Sequence, residues 1–257
     1  MQKTSEYGGI NQEARSASNS GQIGVVWRRS DFRESSRLIT LLTPDRGRLT
    51  TLGKGAYRPA SQCLGRIDFL NLVEVKLSRG NLPVLHRVKV LHEPRRLREP
   101  KRYRAASYLS ELFDSAFLPT RADPQMFDLL VGGIRLLERC SPRQLTQILL
   151  GIELRFLHEQ GLLAPLVACR QCGQSMSQKD LYSTSQQPGL LCADHTTDRS
   201  NPISARTLEW LDTINQSPGR AWPSLPPPPR PAIGLLGRWI SNAMERQPAS
   251  RQAAYRD

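Results

Sequence analysis

Three cysteines and one histidine stand at a spacing that suits a metal ion. Cys169 and Cys172 form a C-x-x-C-G knuckle, and Cys192 and His195 form a second pair after an interval of 19 residues. A gap of two residues lets both side chains of a pair reach one ion, and Gly173 permits the tight turn. Four such ligands fit tetrahedral Zn²⁺, and a site with all four positions filled by protein is structural rather than catalytic.

Two other interpretations of these cysteines remain open. In the first interpretation, they are ordinary loop cysteines that bind no metal. In the second, they form a redox C-x-x-C motif, which the absence of a surrounding βαβ pattern disfavours. The chain has five cysteines, an odd number, and the clustering of three with a histidine favours a metal site in a reducing compartment over disulfides. Cys63 and Cys140 have no partner by spacing, and we interpret them as a loop residue and a helix-packing residue.

The positive charge is concentrated in one stretch. Residues 22–104 hold 19 Lys/Arg and 7 Asp/Glu, a net charge of +12 out of +13 for the whole chain. Such an excess predicts a polyanionic partner, with nucleic acid first and an anionic membrane surface as the rival. No apolar run approaches the roughly 18 residues that span a bilayer, so we expect no membrane association. The polar N-terminus lacks the apolar core of a signal peptide, which predicts a cytoplasmic protein. With a nucleic-acid partner, we expect it to be nucleoid-associated.

Arginines interleaved with aromatic residues in this stretch suit single-stranded nucleic acid, because cations follow phosphates while rings stack on bases. A second basic cluster spans residues 89–104, and the alternative for both sets is a merely solvated charged face. The acids of the stretch are scattered, with no constellation typical of a nuclease, so we predict no enzymatic activity. The candidate nucleic-acid contacts are Arg28, Arg29, Arg33, Arg37, Lys54, Tyr57, Arg58 and Arg66.

The elements that must position these residues change character near residue 99. Before it, period-two patterns predict strands at residues 23–29, 37–43, 48–54, 67–77 and 83–91, which favour a small closed barrel over a sandwich with exposed edges. After it, the period is helical, with starts at Asp123-Pro124 and at Ser141, and a stop at Gly161. Residues 217–231, with four consecutive prolines, are predicted to be extended.

The stretch GVVWRRSDFRESSRLITLLTPDRGRLTTLGKGAYRP resembles the N-terminal region of the RecO family of bacterial recombination mediators. The likeness continues through FLNLVEVKLSRG to GIELRFLHEQGLLAPLVAC, the C-x-x-C-G knuckle and GLLC. It implies an α+β multidomain chain, with an N-terminal five-stranded OB-fold β-barrel followed by an α-helical domain with an inserted zinc finger. The expected ranges are a disordered tail at 1–21, the OB-fold at 22–98, the helical domain at 99–246 with the finger at 165–200, and a frayed tail at 247–257.

The resemblance also implies a function. Members of the RecO family bind single- and double-stranded DNA and anneal complementary strands. They cooperate with RecR and the C-terminal tail of single-strand DNA-binding protein, so that RecA is loaded on single strands. Many zinc-bearing members have cysteine as the fourth ligand where this chain has His195, which is also an acceptable zinc ligand. The alternative function is a zinc-bearing RNA-binding or ribosome-associated module.

Overall fold

The structure is a computed structural model, which describes residues 21–256 except 57, 59, 60, 62, 64, 176–180, 184–187, 198, 200 and 201. Tyr57 and nearly all of the predicted N-terminal tail therefore lie outside the described residues. The strands are β1 (Gln22–Phe32), β2 (Ser36–Thr43), β3 (Gly47–Gly53), β4 (Leu72–Leu77), β5 (Leu85–His92), β6 (Leu181–Ser183), β7 (Leu190–Cys192) and β8 (Pro202–Ile203). The α-helices are α1 (Pro100–Asp114), α2 (Pro124–Arg139), α3 (Leu145–Glu159), α4 (Ala205–Gln216), α5 (Arg230–Ala243) and α6 (Arg251–Ala254).

The chain divides into two compact units. The first is built from residues up to 99 together with 112–138, and the second from residues 100–111 and from 139 onward. Residues 112–138, which the sequence assigns to the helical domain, thus belong with the strands.

One antiparallel sheet of five strands, in the order β3-β2-β1-β4-β5, organises the first unit. Alternate apolar side chains of these strands project to one side, as period two requires, and pack into a core. That core includes Val26, Ile39, Leu41, Val73, Val75 and Val88. A five-stranded sheet followed by helices confirms the coarse architecture that the sequence predicts.

The predicted barrel is not closed. The edge strand β3 meets the chain just before β5 at a parallel bridge between Leu52 and Val84, where the Leu52 N–H donates to the Pro83 carbonyl at 2.8 Å. A closed barrel would pair β3 and β5 along a ladder, whereas the described residues at this edge form the Leu52–Val84 bridge alone. The sheet is therefore curved until its two edges are in contact, but no continuous ladder joins them.

β4 begins at Leu72, five residues later than predicted, because the preceding residues turn back onto β1. Leu70 has a φ of +64° and its N–H donates to the Val26 carbonyl at 2.8 Å, while the Asn71 carbonyl accepts from the Val26 N–H at 2.9 Å. At this point the β1–β2 register shifts between Val26 and Arg28. A bulge of this kind lets two consecutive side chains, here Trp27 and Arg28, project to one side.

The β2–β3 turn needs a glycine for two reasons. Gly47 has a φ of +61°, and a Cβ there would overlap the carbonyl oxygens of Leu118 and Arg121. The chain from residue 118 onward is bonded to this turn, since the Leu118 carbonyl accepts from the Arg48 N–H at 3.1 Å and the Asp123 N–H donates to the Pro44 carbonyl at 3.1 Å. The glycine of the LLTPDRG motif thus allows the helical segment to dock.

In the second unit α3 is buried along most of its length. It starts as predicted, with a capping box in which the Ser141 N–H donates to the Gln144 side chain at 2.7 Å. Residues 217–231 are not wholly extended as predicted, since Gly219–Ser224 forms a 3₁₀ helix. The cause is Trp222, which is buried against Gly151 of α3 and donates its indole N–H to the Ile214 carbonyl at 3.1 Å.

Within the range of the predicted frayed tail, Arg251–Ala254 form the helix α6, which packs against the rest of the second unit. Arg251 of α6 donates to the fully buried Glu153 of α3 at 2.7 and 2.9 Å, and the Arg104 guanidinium donates to the Ala253 carbonyl at 3.1 Å. The ring of Tyr255 lies under the Arg251 guanidinium, 4.5 Å from its carbon. A polar-looking tail is therefore held by buried charge pairing.

Candidate metal centre and nucleic-acid interface

The four predicted metal ligands converge beside a small sheet of order β7-β6-β8. Cys192 ends β7, and the His195 N–H donates to the Cys192 carbonyl at 3.0 Å in the turn that follows. Cys169 and Cys172 lie on the other turn, which the Gly173 N–H closes by donating to the Cys169 carbonyl at 2.8 Å. Gly173 has a φ of +72°, which glycine adopts without strain.

The ligand atoms of these four residues all lie within 4.8 Å of one another. Sγ of Cys192 is 3.9 Å from Sγ of Cys172 and 3.2 Å from Nδ1 of His195, which in turn is 3.7 Å from Sγ of Cys169. A tetrahedral zinc site with Zn–S bonds of about 2.3 Å has edges of about 3.8 Å between its sulfurs. The cluster is therefore able to hold a metal ion, and its donor set is one that zinc uses.

Local electrostatics favour the metal-binding form of one ligand. Burial raises the pKa of the Cys169 thiol, but hydrogen bonds from the backbone of Cys192, Cys172 and Gln171 outweigh burial and lower this pKa to about 6. The thiolate is the form that binds a metal, and with this pKa Cys169 is mostly thiolate at neutral pH.

The remaining two cysteines lie elsewhere. Cys63 packs in the core of the five-stranded sheet, where burial raises the pKa of its thiol. Cys140 is buried in the second unit, and its carbonyl accepts from the Arg102 guanidinium at 2.7 Å. Arg102 is itself fully buried, so one cation of the predicted second basic cluster is not available to a partner.

Asp114, at the end of α1, accepts hydrogen bonds from several side chains of the sheet. Its carboxylate accepts from the Trp27 indole at 2.9 Å, from Arg28 at 2.8 Å and from Arg48 at 3.1 Å. The bulge in β1 explains why the consecutive residues Trp27 and Arg28 both reach it. Sequence reasoning missed Asp114, and no local pattern marks it, because it is 86 residues from Arg28.

Three more of the predicted contacts already have partners. Arg29 is paired with Asp68, Arg37 lies 3.4 Å from the Asp31 carboxylate, and Arg66 donates to the Val88 carbonyl at 3.2 Å. These bonds orient the side chains and reduce the charge that they offer to solvent.

Three predicted cations are exposed and make no ion pair with another described residue: Arg33, Lys54 and Arg58. Arg33 stands on the β1–β2 turn, 5.5 Å over the ring of Phe32, and Lys54 follows β3. Because Arg37 pairs with Gly53, the β1–β2 turn and the end of β3 lie at the same end of the sheet. We call Arg33, Lys54 and Arg58 the basic rim.

The other histidines lie apart from the metal cluster. His86 is exposed on β5, His92 has its Nε2 2.8 Å from the Glu138 carboxylate, and His158 is exposed at the end of α3. Among the described residues no helix combines the length and the apolar character needed to cross a membrane.

Comparison with known proteins decides the family. Residues 19–94 match the family model described as Recombination protein O N terminal, and residues 97–252 match the one described as Recombination protein O C terminal. The chain belongs to the RecO family. This confirms the resemblance seen in the sequence and places the chain among DNA repair and recombination proteins.

Curated relatives agree with the RecO assignment. A protein of Anaeromyxobacter sp. (strain K) named DNA repair protein RecO is 28% identical over 238 residues, which cover 89% of this chain and 93% of the relative. A protein of the same name from Desulfitobacterium hafniense (strain DSM 10664 / DCB-2) is 28% identical over 184 residues, which cover 71% of this chain and 66% of that relative.

Proposed function

We propose that this RecO-family chain is a non-enzymatic mediator of DNA repair and homologous recombination. It binds single- and double-stranded DNA, anneals complementary strands, and helps to load RecA onto single strands coated with single-strand DNA-binding protein. Its protein partners are RecR and the C-terminal tail of the single-strand binding protein, and it works in the cytoplasm at the nucleoid. Membership of the RecO family supports each part of this proposal.

The observation that carries the proposal is the location of the positive charge. Residues 22–104 contribute +12 of the net +13, and the basic rim is exposed without acidic partners among the described residues. Exposed cations attract phosphates, and the release of counterions from the nucleic acid drives binding. Because the basic rim lies at the end of the five-stranded sheet, the polyanion meets the sheet first.

Annealing follows from the same charge. Two DNA strands repel each other, and a basic surface that neutralises phosphates on both lowers that repulsion. Arg28 and Arg29, held by Asp114 and Asp68, line the sheet in fixed orientations, whereas the basic rim is free to follow a moving backbone. Phe32 beneath Arg33 offers a ring on which a base can stack.

The metal cluster has a structural role in this proposal. Cys169, Cys172, Cys192 and His195 would fill all four positions of a tetrahedral Zn²⁺, which would leave no position for substrate. A bound ion would cross-link the two ligand pairs and so stabilise the fold of residues 169–195. This segment needs such a cross-link because its strands β6 and β7 have only three residues each. These side chains then act only as ligands, and the ion takes no part in DNA chemistry.

Fluorescence anisotropy of a labelled single-stranded oligonucleotide over a salt series tests the interface. The test variant changes Arg33, Lys54 and Arg58 of the full chain to Gln. A matched control removes the same charge from exposed arginines of the second unit: Arg143, Arg206 and Arg220. Loss of three phosphate contacts should reduce the slope of log affinity against log salt by about 2, since each contact contributes about 0.7 for single strands. Equal slopes for the rim variant and the control would overturn the assignment of the interface.

Strand annealing tests the function itself. Complementary oligonucleotides, bare or coated with single-strand DNA-binding protein, should pair faster with the full chain than without it. Selective binding of ribosomal or transfer RNA, with no annealing of DNA, would instead support the RNA-binding alternative.

A further inference from the structure

The outward face of the β4–β5 hairpin carries cations outside the candidate set. Lys76, Arg87 and Lys89 are all exposed. Lys76 lies directly opposite Arg87 in the strand pair, and Lys89 lies opposite Glu74. Directly paired residues of antiparallel strands project from the same face, so these side chains share one surface. We call Lys76, Arg87 and Lys89 the hairpin face.

The hairpin face points away from the core of the sheet. Val75 and Val88, the neighbours of its members along the strands, are buried in that core, and successive side chains of a strand alternate between faces. The three cations are therefore presented to solvent as a group.

These cations lack partners of their own. None of the three forms an ion pair or a hydrogen bond with another described residue, and Glu74 makes no ion pair with the Lys89 opposite it. Like charges directly opposite each other, as in Lys76 and Arg87, destabilise a strand pair. A bound polyanion would relieve that repulsion, which argues for phosphate as the occupant of this face.

On the β1 side, the hairpin face is bordered by residues without positive charge. Its neighbour is β1, where Ile23 pairs with Glu74 and Val25 pairs with Leu72, so the adjoining residues carry no positive charge. Further along β1 the charge of Arg28 is taken by Asp114. The outward surface thus has a cationic patch on β4–β5 and an uncharged strip beside it.

We infer that the hairpin face holds the phosphate backbone of a second DNA strand while the basic rim holds the first. The inference rests on the proposed annealing function. One cationic surface lies on the β4–β5 hairpin, and the other lies at the β1–β2 turn and the end of β3. Two such surfaces on one sheet let a single molecule carry two polyanions, each neutralised at its own site, so that their bases meet with less repulsion.

The test separates binding from annealing. In the full chain, Lys76, Arg87 and Lys89 are changed together to Gln, and the Arg143/Arg206/Arg220 control is carried alongside. At about 0.1 M salt, loss of three phosphate contacts should slow annealing of complementary oligonucleotides by about 10-fold or more. The Kd for one non-complementary single strand, measured by anisotropy, should stay within about 2-fold of the unmodified chain, because the basic rim is intact.

Three other outcomes would each refute a different part of the proposal. If the unmodified chain does not anneal DNA, the proposed function fails. If it anneals and the hairpin variant anneals equally fast, the second site is refuted while the function stands. If the variant loses single-strand affinity in proportion to annealing, one strand crosses both surfaces, a path that the Leu52–Val84 bridge would permit, and the two-strand arrangement is wrong.

A charge-preserving variant guards against a folding defect. Replacing Lys76 and Lys89 by Arg keeps the cations and should retain annealing at the unmodified rate. If this variant is also slow, the hairpin acts through its structure rather than its charge, and the inference is overturned.

Discussion

Substitution of Glu111 by Gln should loosen the C-terminal segment in a pH-dependent way. The Glu111 carboxylate accepts from the Ser250 N–H at 2.8 Å and from the Ala249 N–H at 2.9 Å, and it pairs with Arg246 at 2.5 Å. Burial raises the pKa of this carboxyl, but the hydrogen bonds from Ser250, Arg246 and Ala249 outweigh burial and lower it to about 2. A glutamine keeps one acceptor oxygen and loses the charge.

The size of the effect follows from the pKa of Glu111. This pKa falls from its ordinary 4.5 to about 2, and a tenfold change in the protonation equilibrium is worth about 1.36 kcal/mol, so the ionised carboxylate stabilises the fold by about 3 kcal/mol at most. The side chain is 17% exposed, which limits solvent screening. Because the folded-state pKa is the lower one, this stabilisation is complete above pH 4.5 and is lost as the pH falls towards 2.

Urea unfolding followed by tryptophan fluorescence measures the effect. At about pH 7 the Glu111→Gln variant should have a free energy of unfolding lower by about 1–3 kcal/mol, and the difference from the unmodified chain should shrink as the pH approaches about 2. Glu209→Gln, on the exposed face of α4, is the matched control and should change little. A Glu111→Gln difference that is absent at pH 7, or that stays constant down to acid, would refute the reasoning.

Two further perturbations follow from the cluster and from the packing of α3. Cys169→Ser should abolish binding of one zinc ion per chain and lower the thermal midpoint, whereas Cys140→Ala should retain the ion; metal analysis after dialysis checks both, and equal zinc in the two variants would contradict the assignment. Gly151→Ala should destabilise the chain by about 1–3 kcal/mol, because a Cβ there would lie 2.7 Å from the ring of Trp222. Gly234→Ala on α5, where the nearest atom is 3.8 Å away, should be neutral or stabilising in the same denaturation assay.

Features that depend on neighbours in the chain were predictable from the sequence. Asp123 caps α2 by accepting from the Met126 N–H at 2.9 Å, and the capping box at Ser141 starts the next helical segment. The C-x-x-C-G knuckle brings two ligands to one point because its turn is local, and the later pair does the same. The family followed from motifs of the same short range.

Which cations remain available was decided by the tertiary structure. Asp114 binds Arg28 from 86 residues away, and Glu153 binds Arg251 from 98 residues away. No local sequence pattern predicts either pair. The assignment of the DNA contacts therefore stays a prediction, even though the structure distinguishes paired arginines from free ones.

The sequence by itself determined the order of strands and helices, the candidate metal cluster, the concentration of charge and the RecO family, because periodicity, capping and ligand spacing act over a few residues. Only the tertiary structure decided that the sheet edges touch at Leu52 and Val84 without closing, that the C-terminal segment is docked, and that Lys76, Arg87 and Lys89 share one exposed face. These features depend on the distances between residues remote in the chain, and the strength of an ion pair is set by that distance and by its exposure to water.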